Sequence, residues 1–588
     1  MSKFISIHYG HNATVAFSES GKIISIVSEE RFSRLKNHTG FPEQALKYTL
    51  DNYLEGNFEK LDKIILVDKH KLDAKYLFNN NFNNSEYISF YSEIRNKIKR
   101  RKYFYDQFKI IYKFFKKIKF FYNKKINAKD YKKELYKKYN LPEKKIISYD
   151  HHMSHAASFC YFEEHNLEKP TIIFTMDGEG DYKSSTVNLT EKGKLKLISE
   201  NNNQVSLGYF YLFVTAYLGL KPGEHEFKVM GLSPYGNKFR SDKIKSKLDK
   251  LLWLDSNGKF NSITDSGNLI FELIDIFSFE RFDDIARASQ EFLEKLVIKW
   301  INYWCDKLMI YDVAVSGGVF MNVKLNMLIH QKNKIKSFFA VPSCTDDSLP
   351  IGGLYLENSN SNIKVNKLKH LYLGKCFTNQ DVDEHLKVSN LDKRFNIKYF
   401  EDPKSLNLEV AKILSENKIV ARFVGREEWG ARALGNRSIL CSPNNIENIN
   451  MINSLVKKRD FWMPFTPTIL REFEKIYLEN NKKVNGKFMS SAFQSTDLAK
   501  ENLKAAIHPK DYTIRPQILD KEINPIYYNL IDQFKSITGI GALLNTSFNL
   551  SGEPNVSSLS DATRTVMNTD IKYLILENFL LVKKTIPN

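Results

Sequence analysis

Cysteine is scarce: Cys160, Cys305, Cys344, Cys376 and Cys441 are the only five in 588 residues, and none sits in a CxxC pair. That spacing argues against a disulfide framework or a cysteine-ligated zinc, and for free thiols in a reducing compartment. Long uncharged apolar runs are missing too, so no segment reads as a membrane-spanning helix. The start, MSKFISIHYG, lacks the basic region, apolar core and small-residue cleavage site of a leader and reads as a first strand. A cytoplasmic protein without a signal peptide is expected. A short-period repeat of the solenoid kind is also absent.

What is present begins with length. A chain of 588 residues exceeds one hydrophobic core, so two or more domains are expected. Its 42% hydrophobic and 26% charged residues are an ordinary globular mixture. The net charge is +19, but 18 Lys and Arg against 4 Asp and Glu between 91 and 140 carry +14 of it, leaving +5 elsewhere. There, RRKYFYDQFKIIYKFFKKIKFFYNKK interleaves aromatics and lysines at helical spacing, which predicts a basic helical insertion at about 85–140. The favoured reading packs its aromatics inward and leaves its lysines in water. A membrane-surface or RNA contact is the less favoured one.

The opening KFISIHYGHNATVAFSESGKIISIVSEERFSR alternates apolar and polar positions around Ser20-Gly21, the pattern of a β-hairpin. TIIFTMDGEGDYKSSTVNLTEKGKLKLISE repeats it, and DVAVSGGVFMN adds a strand that ends in a glycine pair. Two similar hairpins, each with a polar turn, suggest a duplicated α/β nucleotide-binding core. The polar stretch 356–370 reads as a linker, after which the pattern restarts.

Three constellations carry chemistry. In DHHMSHAAS, His151 and His155 are four apart, so a helix would put both on one face, with Asp150 as its cap. A capped helix start with buried histidines fits that spacing equally well. Asp177 and Asp346 each close an apolar strand, where a carboxylate emerges at a cleft. In VSGGVFMN, Gly317 and Gly318 would admit a close ligand ahead of a helix start. Finally, Arg426, Arg432, Arg437, Lys457, Arg459, His508, Asp511, Thr513, Arg515 and Gln517 lie among glycine and apolar residues. That density of guanidinium forks implies a multiply anionic ligand.

Taken together and in order, HYGHNATVAF, EERFSR, HHMSHAA, DGEGD, EFKVMGLSPYG, SGGVFMN, GREEWGARALGNRSIL, KKRDFWMPFTP, HPKDYTIRPQ and LLNTSFNLSGEPNV resemble the carbamoyltransferases of the nodulation-factor and antibiotic type. The likeness covers nearly the whole chain. It implies an actin-like, duplicated α/β domain over 1–360, similar to threonylcarbamoyl-transferring proteins, and an α/β YrdC-like domain over 371–588. The second would join carbamoyl phosphate and ATP into carbamoyl-adenylate, and the first would pass the carbamoyl group to an acceptor hydroxyl. By motif, His151, His155, Asp177 and Asp346 would hold a divalent metal, iron first, with manganese or zinc compatible. His11, Glu226 and Lys228 would be catalytic, with Glu226 and Lys228 in the nucleotide and acceptor cleft beside Gly317, Gly318 and Asn322. Arg432, Arg437, Lys457, Arg459, Arg515, Asn545 and Ser547 would hold carbamoyl phosphate and ATP. The implied partner is a small-molecule or glycan acceptor rather than nucleic acid, with no transmembrane segment and peripheral membrane contact left open. A tRNA threonylcarbamoyl-type transferase is the alternative. The chain departs from the family at Ser348-Leu349-Pro350, where relatives carry small residues and glycine, which bears on the loop beside Asp346.

Overall fold

The computed structural model describes residues 2–68, 128–166, 168–457 and 459–584. The first hairpin forms where the sequence places it. Strands β1 (Lys3–His8), β2 (Thr14–Glu19) and β3 (Lys22–Ser28) are followed by β4 (Lys63–Val67) and β5 (Ile146–Tyr149), in the order β3-β2-β1-β4-β5. The β2–β3 turn puts Ser20 and Gly21 at φ of 48° and 78°, the two positive values that a tight hairpin twist requires. A Cβ on Gly21 would lie 2.2 Å from the Lys364 carbonyl, so the turn is closed by a segment 343 residues away.

The second sheet repeats the plan. Strands β6 (Thr171–Gly180), β7 (Lys183–Glu191), β8 (Lys194–Asn202), β9 (Asp312–Ser316) and β10 (Ser337–Ala340) lie in the order β8-β7-β6-β9-β10. In both sheets the first three strands are antiparallel and the last two run parallel to the first. Order and sense therefore match strand for strand. Parallel strands present their carboxyl ends to one edge, where an α/β sheet opens its crevice. His8, Asp68, His151, Gly317 and Asp346 all sit on or just beyond such ends, and Asp177 lies in the last turn-ward part of β6.

The third sheet has eight strands: β11 (Phe395–Tyr399), β12 (Val420–Phe423), β13 (Arg437–Cys441), β14 (Thr466–Leu470), β15 (Gln517–Leu519), β16 (Ala542–Ser547), β17 (Tyr573–Leu576) and β18 (Phe579–Lys583). Their order is β11-β18-β17-β12-β13-β16-β14-β15. One hydrophobic core runs without a break from Phe174 and Trp300 under the second sheet to Leu434 and Tyr527 under the third.

The stretch 356–370 differs from the linker expected. Its first residues finish the helix Leu349–Asn360. The rest is stitched down, with the Asn366 N–H on the Gly21 carbonyl at 2.9 Å and the Leu368 N–H on the Tyr161 carbonyl at 2.7 Å. Most of the basic insertion expected at about 85–140 lies outside the described residues; its described end is the helix Ala128–Lys138, whose Leu135 is buried in the first sheet's core. Among the described residues no helix is long and apolar enough to cross a membrane.

Candidate metal and anion centres

The helix His151–Ser158 starts on Asp150, whose carboxylate accepts the Met153 N–H at 3.0 Å. Asp181, the last residue of DGEGD, accepts the His151 N–H at 2.8 Å, so the second hairpin turn fixes the same helix start. Helical spacing then aims both imidazoles one way, toward Asp177 and Asp346. The four side chains offer ligand atoms that all lie within 4.8 Å of one another. His155 Nε2 stands 3.3 Å from Asp177 Oδ2 and 3.4 Å from Asp346 Oδ1, and His151 Nε2 stands 3.7 Å from Asp346 Oδ1.

The ring hydrogens can be assigned from their partners. His151 Nδ1 faces Asp68 Oδ1 at 2.7 Å, and a carboxylate accepts, so Nδ1 carries hydrogen. Ser348 spends its hydroxyl hydrogen on the Thr345 carbonyl at 2.9 Å, so at 3.4 Å it can only accept from His155 Nδ1. Ser348 thus helps to orient His155. Both Nε2 atoms are buried without a hydrogen-bond partner. Burial opposes a charge on His151, but Asp68, Asp346 and Asp177 outweigh it and push its pKa up to about 10. Burial would raise the Asp177 carboxyl, yet His155, His151 and the Gly318 N–H hold it below the usual carboxylate range. Two orphaned imidazole nitrogens, two carboxylates and a field that attracts a positive charge fit a divalent cation, which would replace the proton on His151. The donor set suits iron, manganese or zinc.

Gly317 and Gly318 back this cluster. Gly317 has φ 98°, and a Cβ there would meet the Met176 carbonyl oxygen at 2.4 Å. That close approach lets the Gly318 N–H reach Asp177 Oδ2 at 2.9 Å.

A second centre is a cavity of about 210 Å³ between the loop after β3, the helix Glu226–Leu232 and the third sheet. Arg432, Arg459, Arg515 and Ser547 line it, with Phe227, Met230, Met463 and Phe465 forming an apolar wall. Burial, then Arg432, brings Arg459 down to about 10; burial alone does the same to Arg432. Arg515 is pushed well down by burial and then by both other arginines. Among the described residues, neither the Arg432 nor the Arg515 guanidinium has a hydrogen-bond or ion-pair partner. The carboxylates on the same wall are taken: Glu30 by Arg31, and Glu553 by Arg34 and Arg564.

The other candidates lie around this cavity rather than on its wall. Lys457 is buried and donates to the Ser547 carbonyl at 2.6 Å and Asn549 Oδ1 at 2.7 Å, bracing the loop that carries Ser547. Arg437 stacks on Phe423 with its guanidinium 3.6 Å from the ring centre, and donates to the Val424 and Asn436 carbonyls. Asn545 donates to the Ala433 carbonyl at 3.1 Å and to Thr468 Oγ1 at 3.0 Å. Lys228 pairs with Asp460 at 3.0 Å. Glu226 accepts the Gly223 N–H at 2.6 Å, and burial raises its pKa to about 7. Asn322 caps the helix Val323–Gln331 through the Leu325 N–H at 3.0 Å and pairs amide to amide with Gln290. His11 has an exposed side chain, and its carbonyl receives His8 Nε2 at 2.9 Å.

Sequence reasoning missed His8, Asp68 and Arg34. Asp68 follows the apolar run KIILV as Asp177 follows TIIFTM, so the same strand-end rule reaches it. Arg34 donates to the Pro554 and Asn555 carbonyls, both at 2.7 Å, clamping the first hairpin's end to the cavity loop.

With this geometry in place, two family models identify one family. A family model described as Carbamoyltransferase N-terminus matches residues 3–354, and one described as Carbamoyltransferase C-terminus matches residues 411–583. An uncharacterized protein of Methanocaldococcus jannaschii is 30% identical over 580 residues, 98% of either chain. The nodulation protein NolO of Bradyrhizobium diazoefficiens is 31% identical over 447 residues, 74% of this chain and 79% of its own. The 3'-hydroxymethylcephem-O-carbamoyltransferase of Amycolatopsis lactamdurans is 26% identical over 248 residues, 42% of this chain and 44% of its own. The chain belongs to the carbamoyltransferase family and is a carbamoyltransferase enzyme.

Proposed function

We propose that this enzyme is an ATP-dependent O-carbamoyltransferase that draws its carbamoyl group from carbamoyl phosphate, carries it as carbamoyl-adenylate and delivers it to a hydroxyl of a sugar, glycan or natural product. The observation that carries the reading is the arginine cavity. Arg432, Arg459 and Arg515 converge without a carboxylate to neutralise them, beside an apolar wall suited to a flat base. Guanidiniums without a carboxylate partner in a sheltered site match the phosphates of two anionic co-substrates, and counter the charge that builds as phosphate and pyrophosphate leave.

The transfer step belongs to the first two sheets, residues 1–360, read as an actin-like duplicated domain on the strength of their matched strand order. Residues 371–588 are read as a YrdC-like activating domain. A divalent ion held by His151, His155, Asp177 and Asp346 would supply a Lewis acid that polarises the carbamoyl carbonyl and acidifies the acceptor hydroxyl. His11 is assigned the hydroxyl proton, and Glu226 and Lys228 the second wall of the cleft. The cephem O-carbamoyltransferase relative supports a small-molecule acceptor. The tRNA-directed alternative draws on the basic 91–140 segment, most of which lies outside the described residues.

The test is carbamoyl-phosphate-dependent exchange of labelled pyrophosphate into ATP by metal-loaded protein. Exchange that requires carbamoyl phosphate and is abolished in Arg432→Ala is expected. Exchange with ATP alone, or none at all, would remove the adenylate route.

A further inference from the structure

We propose that Asp68 is a positioning residue for the His151–His155–Asp177–Asp346 cluster: its carboxylate fixes the tautomer and ring plane of His151 and ties His8, with the turn that carries His11, to the same centre. The proposal rests on the reading that this cluster binds a divalent cation.

Asp68 leaves the end of β4 with φ 84°, in the left-handed region. A non-glycine residue there is strained and persists only where its surroundings impose it. Here they do. The Tyr9 hydroxyl donates to the Asp68 carbonyl at 3.2 Å, and one carboxylate oxygen takes His151 Nδ1 at 2.7 Å. The other oxygen stands 3.3 Å from His8 Nδ1. The far side of His8 is also fixed: its Nε2 donates to the His11 carbonyl at 2.9 Å and lies 3.7 Å from Asp346 Oδ2. An aspartate that merely ended a strand would turn outward and adopt an ordinary backbone. This one spans two histidines, one inside the cluster and one beside it.

The chemistry follows from the tautomer. With hydrogen held on Nδ1 by Asp68, the His151 lone pair is on Nε2, the buried atom without a partner that faces Asp346. A carboxylate behind a ligating imidazole raises its basicity and stops the ring from rotating. His155 has only a hydroxyl in that place, Ser348 or Ser316, so the two ligands are backed unequally and His151 is the better donor.

The experiment uses the full-length protein, stripped of metal and titrated with Mn²⁺ against a competing chelator. Wild type is expected to bind, Asp68→Asn to bind about 10- to 100-fold more weakly, and Asp68→Glu to recover part of the loss. A purely structural role would lower the melting temperature and spare the affinity. Asp68→Asn binding like wild type overturns the proposal and leaves the cation site standing; a wild type that binds no ion overturns both. If Asp68→Asn does not fold, cobalt-loaded wild type is read by proton NMR. A contact-shifted, exchangeable imidazole N–H signal is expected from each ligand with the His151 Hδ2 signal broadened by the adjacent metal, and a sharp, contact-shifted His151 Hδ2 signal, which marks ligation through Nδ1, overturns the assignment.

Discussion

Replacing Arg515 with methionine should move stability and donor binding in opposite directions. Arg515 lies with Arg432 and Arg459 on one cavity, has no anionic partner among the described residues, and is pushed well below the ordinary arginine range by burial and by those two neighbours. A depressed pKa on a cation means that the folded protein pays to keep it charged. Exchanging the guanidinium for an apolar side chain of similar length removes that cost, and substitutions of buried charge by hydrophobic groups stabilise by about 1–4 kcal/mol. The ligand-free melting temperature of Arg515→Met is therefore expected to rise by a few degrees. With donor present the sign reverses. A phosphate that loses a charge-assisted partner in a desolvated site gives up about 2–4 kcal/mol, or roughly 30- to 1000-fold in affinity. Thermal melting without ligand and calorimetric titration with ATP and with carbamoyl phosphate read the two effects separately. A variant that melts lower while binding both donors as wild type does would refute the reasoning, because the arginines would then be structural rather than held ready for an anion.

Gly317→Ala should damage the metal cluster from behind. The added methyl would meet the Met176 carbonyl oxygen at 2.4 Å at a residue with φ 98°, so the backbone must shift and take the Gly318 N–H from Asp177. Strain of about 1–3 kcal/mol and weaker metal binding are expected together. Gly552→Ala, at φ 84° with nothing within 4 Å, should show the strain without the metal effect; equal metal loss in both would refute the account. Glu29 tests pH. It accepts N–H groups from Gln44 and Ala45, yet burial raises its pKa from 4.5 to about 7. A raised carboxyl pKa means that the folded state holds the proton more tightly: the contribution is full below the unfolded pKa and is lost as pH rises through about 7. Glu29→Gln should therefore gain on wild type by about 1–3 kcal/mol between pH 5 and pH 8 in denaturant titrations, and parallel profiles would refute it.

What was legible in the sequence was what local chemistry determines. The Ser20-Gly21 turn needs two positive φ values, and period-two patterning on either side fixes the strands around it. His151 and His155 share a face because of helical spacing alone, and Asp177 and Asp346 reach the same point because parallel strands end at one edge. The rest depends on pairings distant in the chain. Nothing near β11 says that it will lie beside β18, nearly two hundred residues on, so the third sheet's order was closed to inspection. Density of arginine was legible, but not its employment: Arg437 spends its donors on the carbonyls of Val424 and Asn436, while Arg432, five residues earlier, keeps its own for the cavity. Lys457 was singled out for its charge and proves to brace the loop of Ser547 and Asn549. Asp68 is open to the same strand-end rule as Asp177, but its pairing with His151, 83 residues on, is not.

The two centres are joined by a single turn, and that turn gives the arrangement its chemical sense. Asp346 faces the histidines, while Ser343, three residues before it, touches the loop that carries Arg432. Ser343 Oγ reaches both oxygens of Asp347 at 2.8 Å and receives the Ala431 N–H at 3.4 Å, next to Arg432. Gly430, at φ 100°, brings its backbone so close that a Cβ would stand 3.1 Å from that of Ser343. Ser343 and Asp347 thereby connect the arginine loop to the turn that carries Asp346. On the proposed adenylate route, a carbamoyl group activated as a mixed anhydride would be prone to attack by water, and a fixed, short-ranged relation between the two centres would limit that loss. A flexible tether between separate domains would leave that relation to chance; hydrogen bonds across a glycine contact, backed by Arg34 on the Pro554 and Asn555 carbonyls, do not.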